Sequence, residues 1–295
     1  MGDILYKDVL DQWWAIRRLS LSPSTILSHN RIMNKDVLPT FGDLNILDIT
    51  QDMLTGFFEV LKKRKTDIKN EHTILRQSFE YAEKVGIVVI NPMAMIKLHR
   101  ERNRPVYIFA PGEVQLLIDN AHPAWFADMI EIGYRTGMRR GEILALQWRD
   151  IDFAGKRLMV NQSLSGISAR EIYIRPPKSA TSKRVISLDN RVLAVLSRLR
   201  CTAKFDWVFT RPGGLLQPPT NISGYMRKTC LAAGIPRRNF HALRHTHASI
   251  LLGMGVHPKV VQERLGHASL IMTLNVYGHL LPAMQDSAVD ALNSL

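Results

Sequence analysis

Cysteine is almost absent from this chain of 295 residues: Cys201 and Cys230 are the only two, and they form no CxxC pair. That argues against a disulfide framework or a cysteine-based metal knuckle and fits a reducing compartment, the cytoplasm. Long apolar runs are missing as well. No stretch reaches the roughly 18 residues that a membrane span needs, and the start MGDILYKDVLDQWW lacks the basic lead and apolar run of a secretory signal. Acidic residues are scarce relative to basic ones, 26 Asp+Glu against 39 Lys+Arg, for a net charge of +13. The excess is uneven: residues 1–104 hold 16 basic and 13 acidic side chains, a net of +3, and residues 105–295 hold 23 and 13, a net of +10. Such a balance calls for a polyanionic partner, nucleic acid or an anionic membrane surface. With no membrane segment in view, nucleic acid is the better fit. Internal repeats and low-complexity tracts are lacking too. At 46% hydrophobic and 22% charged residues, the composition is that of a globular chain with enough material for two domains.

What is present reads first as helices. Ser22 is placed to cap a helix that Pro23 opens and that runs through Ile26, Ile32 and Met33 to end near Leu38-Pro39. FGDLNILDIT is a connector, and Thr50 or Asp52 caps the next helix, with Leu54, Phe57, Phe58 and Leu61 on one face. A third helix is expected over Lys69–Lys84, with its end marked by Gly86 and a chain break at Asn91-Pro92. KLHRERNRP is dense in arginine and reads as an interdomain linker. Beyond Ala110-Pro111-Gly112, helices are expected in EVQLLIDNA, AWFADMIEIGYRTG and RGEILALQW. The periodicity then switches: KRLMVNQ, REIYIRPP and KRVISL predict a small antiparallel sheet. Helices resume in NRVLAVLSRLR, SGYMRKTCLAAG, HALRHTHASILLGMG, HPKVVQERLGH (closed by Gly266) and IMTLNVYGHLL, before an amphipathic tail, DSAVDALNSL. The fold class is mainly α with a small antiparallel β-sheet in the C-terminal domain.

Several residue types suited to anion chemistry recur in the C-terminal two thirds. His241 and Arg244 stand at i, i+3 on one helical face, where an imidazole and a guanidinium can grip one anion. His245 and His247 extend this to HxxxHxH, with His267 further on, a pattern that could hold zinc; i, i+4 and i+6 do not share one face, and no acidic partner is in view. Arg139 lies after Thr136-Gly137, where a glycine lets backbone approach a phosphate, and Glu142 can hold its fork. Arg140 is the neighbouring candidate, though adjacent helical positions point apart. Lys178 stands before a Ser/Thr turn, able to donate a proton to a leaving alkoxide, with Lys183 as its rival. Tyr277, near Leu274 and Val276, suits either a core anchor or a nucleophile, the latter if clustered cations lower a phenol pKa that is ordinarily about 10. Each residue alone has a plainer reading as a packed or solvated side chain.

Together these segments resemble the tyrosine recombinases, the phage-integrase family, over essentially the whole chain. TGMRRGEILALQWRDID resembles that family's first arginine box, which implies Arg139 as a catalytic arginine and Glu142 as its supporting acid. PPKSATSKRVISL is similar to the hairpin of the catalytic lysine, implying Lys178. HALRHTHASILLGMG resembles the HxxR box, implying His241 and Arg244, and LGHASLIMTLNVYGH the closing box, implying His267 and the nucleophile Tyr277. Residues 1–96 resemble the family's helical, SAM-like core DNA-binding domain, with 97–109 as basic linker and 110–295 as catalytic domain. Larger phage integrases carry an arm-binding domain ahead of this one, whereas here the core-binding domain begins almost at Met1.

The resemblance implies a site-specific recombinase that cleaves and rejoins double-stranded DNA through a 3′-phosphotyrosyl intermediate, without cofactor or metal, and integrates or excises a phage or other mobile element. It further implies a two-domain, C-shaped clamp on DNA, a homotetramer on paired sites, DNA-bending or directionality proteins as helpers, and a cytoplasmic, nucleoid-associated setting. Ser24, Asn30, Arg76 and Gln77, expected to be exposed on the N-terminal helices, are candidates for base contact, and Arg100, Arg102 and Arg104 for backbone contact. Two other readings are an inactive DNA-binding relative and a type IB topoisomerase that relaxes supercoils.

Overall fold

The computed structural model describes residues 3–64, 67–98, 107–166, 171–176, 183–267 and 293. The chain divides into two compact units, Met1–Arg104 and Pro105–Leu295. In the first, helices α1 (Tyr6–Arg17), α2 (Pro23–Ile32), α3 (Leu38–Phe41), α4 (Gln51–Arg64) and α5 (Lys69–Lys84) enclose one core. The first helix was not anticipated, although Val9, Leu10, Trp13 and Trp14 recur at helical spacing and are all buried. Ser22 stands at the cap of α2, yet its hydroxyl bonds that of Thr25 at 2.9 Å rather than a backbone amide. The expected stop at Leu38-Pro39 is instead a π-helical turn, Met33–Val37, that leads into α3. A wide turn suits this position, because Pro39 has no N–H to continue the α-helical ladder. Thr50, not Asp52, caps α4, accepting from the Met53 amide at 3.3 Å. Leu54, Phe57, Phe58 and Leu61 are buried, as their spacing predicts. Aromatic rings fill the middle: Tyr6 stacks on Phe79 at 5.3 Å, and Phe41 meets Phe57 edge-on at 5.1 Å.

The second unit begins with α6 (Glu113–Asp119), α7 (Ala124–Thr136) and α8 (Arg140–Leu144). The helix expected over RGEILALQW shortens to α8, followed by a 3-10 turn, Trp148–Asp150, that feeds a strand. The strands are β1 (Ile151–Asp152), β2 (Arg157–Val160), β3 (Ser163–Gly166), β4 (Ile172–Arg175) and β5 (Arg184–Ser187). Among the described residues they form two antiparallel sheets, a three-stranded one in the order β1-β2-β5 and a two-stranded one, β3-β4, where a single sheet was expected. β3 escaped prediction because SLSG has no β-branched or aromatic residue to mark a strand. In β2·β5, Leu158 faces Ile186 across the ladder, and both are buried in the core. Helices α9 (Asn190–Cys201), α10 (Ile222–Ala232), α11 (His241–Gly253) and α12 (Pro258–Leu265) complete the unit. Asp189 caps α9 through the Val192 amide at 2.9 Å.

α11 packs against α7 and α12, and Gly137 at the end of α7 lies against His247 of α11 and Leu265 of α12. Phe109 joins this core at 3% exposure, and its amide donates to Thr246 Oγ1 of α11 at 2.8 Å. The unit therefore starts on the sequence-predicted linker rather than after it. The fold is mostly helical with small antiparallel sheets.

Candidate active site

Gly137 closes α7 in the left-handed conformation, φ +67°, and a Cβ there would stand 2.7 Å from both His247 and Leu265. The glycine thus lets α11 and α12 close on the end of α7, a protein contact rather than the phosphate approach inferred from sequence. Its carbonyl accepts from Arg244 Nη1 at 2.8 Å. The Arg244 guanidinium is almost wholly buried, at 1% exposure, and its Nη2 donates to the Leu265 carbonyl at 2.7 Å.

The end of α12 explains that choice of partner. Gly266 is left-handed, and a pair of bonds closes the helix: Gly266 N–H to the Glu263 carbonyl at 3.0 Å and His267 N–H to the Gln262 carbonyl at 3.1 Å. This wrap satisfies two of the carbonyls that a helix end leaves open. The next three carbonyls, of Arg264, Leu265 and Gly266, each accept from a different arginine. Arg184 Nε reaches Arg264 at 2.7 Å, Arg244 Nη2 reaches Leu265 at 2.7 Å, and Arg139 Nη2 reaches Gly266 at 3.2 Å. A helix C-terminus carries partial negative charge, so three cations are well placed there.

Arg139 precedes α8, and Glu142 behaves as its expected support. The carboxylate accepts from the Arg139 amide through Oε2 at 2.9 Å and from Arg139 Nη1 through Oε1 at 2.8 Å. Sequence reasoning missed the carboxylate's other partner. Arg184, at the start of β5, donates Nη1 to Oε1 at 3.2 Å and Nη2 to Oε2 at 2.9 Å, with both side chains only 5% exposed. The signal was available: in KRVISL the alternation puts Arg184 on the same inward face as Ile186 and Leu188. Burial alone raises the Glu142 carboxyl; the bond and charge of Arg184, then Arg139, outweigh it and hold the group below the ordinary carboxylate value.

Three imidazoles border the arginines. His241 opens α11, and its ring meets that of His245 edge-on at 4.6 Å. Partial withdrawal from water, followed by the charges of His245, Arg244 and Arg139, lowers His241 to about 4. His267 is lowered to about 3, by burial first and then by Arg244, Arg139, His241 and His245. His245 is lowered by burial and by Arg244. It was weighed in sequence only as a zinc ligand, although its i+4 offset from His241 places it on the same face. His247 points elsewhere, accepting from Arg264 Nε at 3.1 Å, so HxxxHxH does not converge on one point. The site thus joins two cations with neutral imidazoles, which can bind an oxyanion and move a proton at neutral pH.

Arg139, Glu142, His241, Arg244 and His267 are therefore brought together. Arg140 is exposed and reaches Ser223 Oγ at 3.4 Å, away from Glu142. Lys183 is exposed; Lys178 and Tyr277 lie outside the described residues, as do Arg100, Arg102 and Arg104 and all but Asn293 of the tail. In the N-terminal unit Arg76 is exposed and paired with Glu80 at 2.7 Å. Ser24, Asn30 and Gln77 are half-buried rather than exposed as expected, because α2 and α5 pack against each other.

Residues 108–284 match the phage integrase family, and residues 5–61 match the phage integrase N-terminal SAM-like domain. Among curated proteins, a XerC-like tyrosine recombinase of Caldanaerobacter subterraneus is 26% identical over 99% of this chain and 84% of its own length. The ICEBs1 integrase of Bacillus subtilis is 25% identical over 99% of this chain and 83% of its own. Among solved structures, the Tn1549 transposon integrase in complex with a circular intermediate DNA superposes with a TM-score of 0.83 at 20% identity, covering 96% of this chain and 99% of that one. A lambda integrase tetramer bound to a Holliday junction gives 0.75 at 19% identity, over 93% and 78%; both likenesses concern the fold. No helix among the described residues is long and apolar enough to cross a membrane. With the family matched across more than half of its length, this chain belongs to the phage integrase family, the tyrosine recombinases that cleave and rejoin DNA.

Proposed function

We propose that this chain is the recombinase of a phage or other mobile element and integrates or excises it by strand exchange between specific core sites. The observation that carries the reading is the anchoring of Arg139 and Arg244 on adjacent carbonyls, Gly266 and Leu265, directly before His267. Two guanidiniums fixed one residue apart on a rigid helix end form a preorganised receptor for a phosphodiester, and donors set in advance stabilise the charge that develops on its non-bridging oxygens.

In this reading the Tyr277 phenol oxygen attacks the scissile phosphorus and passes its proton to His241, a neutral imidazole at physiological pH. The phosphorus–O5′ bond breaks, Lys178 protonates the departing 5′-oxygen, and the 3′-phosphate remains esterified to Tyr277. Arg139 and Arg244 neutralise the phosphate, and His267 donates a further hydrogen bond. The phosphotyrosyl ester stores the energy of the broken bond, so a 5′-hydroxyl from the partner duplex rejoins the strand by the reverse displacement. Two duplexes with two half-sites each call for four copies of the chain and a four-way junction between the two exchanges.

The N-terminal unit is the core-binding domain in this scheme. Arg76, Ser24, Asn30 and Gln77 are its candidate base-reading positions, and Arg100, Arg102 and Arg104 supply phosphate contacts whose contribution falls with salt. DNA-bending or directionality proteins act as helpers, and the protein works on the nucleoid. The test is product topology. Incubated with a plasmid carrying paired sites cloned from the ends of its element, the protein yields recombinant junctions. Relaxed circles without exchanged junctions identify a topoisomerase instead, and bound but uncut DNA identifies an inactive relative.

A further inference from the structure

We propose that Arg184 is a positioning residue for the phosphate site, holding Glu142, and through it Arg139, in register with the helix end that also anchors Arg244. The inference rests on reading Arg139 and Arg244 as the phosphate receptor, and it assigns a role to a side chain on another element. Glu142 receives four bonds, two from Arg139 and two from Arg184, which match the acceptor capacity of a carboxylate. Both prongs of the Arg184 fork are therefore committed to Glu142, while its Nε is committed to α12 at Arg264. One guanidinium thus ties the carboxylate that orients Arg139 to the turn whose next two carbonyls hold Arg244 and Arg139.

Charge gives a second reason for a third arginine. Arg139 and Glu142 alone sum to zero, and an anionic substrate gains little from a neutral pair. With Arg184 included the triad carries +1, so the carboxylate can orient Arg139 without cancelling its attraction for phosphate. Arg184 sits too deep, at 5% side-chain exposure, to meet DNA itself. Lysine in its place keeps the charge but cannot engage both carboxylate oxygens and the Arg264 carbonyl at once.

The experiment measures single-turnover cleavage by the full chain on two nicked duplexes, one with a natural scissile phosphodiester and one with a neutral methylphosphonate there. Removing the substrate charge removes most of what a well-placed Arg139 contributes. Arg184→Lys should lose on the order of 10²-fold on the phosphodiester, the scale of a small displacement of a catalytic group, and its deficit should collapse toward unity on the methylphosphonate. The double variant Arg139→Ala/Arg184→Lys should cleave the phosphodiester no more slowly than Arg139→Ala, because a residue acting through another adds nothing once that other is gone. Equal deficits on both substrates, additive losses in the double variant, or wild-type rates for Arg184→Lys would each overturn the proposal. If Arg184→Lys melts below the assay temperature, Glu142→Gln must give the same substrate-dependent pattern. A wild-type rate for Arg139→Ala would instead sink the underlying reading of the site.

Discussion

The N-terminal unit closes its interior with Tyr6, Phe41, Phe57, Phe58 and Phe79. Among its described residues the buried charged groups are acids, Asp36 and Glu71, with no lysine or arginine buried. The C-terminal unit has an apolar core of the same kind around Phe126, Ile130 and Leu243, yet it also buries Arg184 and Arg244. Stability does not require this. Taking guanidiniums out of water is costly, and well-packed apolar residues often serve a fold as well as buried ion pairs do or better. The first unit buries no lysine or arginine among its described residues, whereas the second buries two guanidiniums, Arg184 and Arg244.

Breaking that charged interior should give the largest effect. Glu142→Ala leaves Arg184 buried without its carboxylate and should cost about 3–5 kcal/mol of stability in the C-terminal unit, measured by chemical denaturation. Glu142→Leu combined with Arg184→Met should recover much of the stability but none of the cleavage. A double variant that cleaves normally would remove the functional contrast between the apolar and the charged interior. The next effect is pH dependence. In the folded unit His241, His247 and His267 are lowered to about 4, 3 and 3 from an ordinary 6.5, so the unfolded chain takes up protons first as pH falls. Stability should be level above 6.5 and decline steadily toward 3. In the N-terminal unit His29 is lowered, by burial first and then by Arg17; with three strongly lowered imidazoles in the C-terminal unit, hydrogen exchange should rise further in α11 and α12 than in α4 and α5. Equal rises in both units would contradict this. The smallest effect is Arg76→Ala: its exposed pair with Glu80 should contribute no more than about 0.5 kcal/mol, so any larger loss of DNA affinity would mark Arg76 as a contact.

Legibility from sequence differed between the units for related reasons. Helices with clean apolar stripes were readable, as in Lys69–Lys84, which the structure reproduces. The strand SLSG and the π-helical turn at Met33–Val37 were not, because neither carries a periodicity of its own. In the site, contacts made over three or four residues could be anticipated, such as Arg139 with Glu142. The convergence on α12 could not: Arg184 and Arg139 lie about 80 and 127 residues from the carbonyls they meet, and backbone carbonyls look alike in any sequence. Gly266 was read only as a helix stop, whereas its turn also presents the carbonyl that holds Arg139.

The central claim is that a phenol oxygen becomes esterified to DNA beside the two anchored arginines. It is tested most directly by trapping the protein on a nicked duplex, digesting the adduct and identifying the peptide that carries the nucleotide. The predicted result is a 3′-phosphate on Tyr277, with no adduct from Tyr277→Phe. A nucleotide on any other residue, a 5′ linkage, or an adduct that survives the substitution would contradict it.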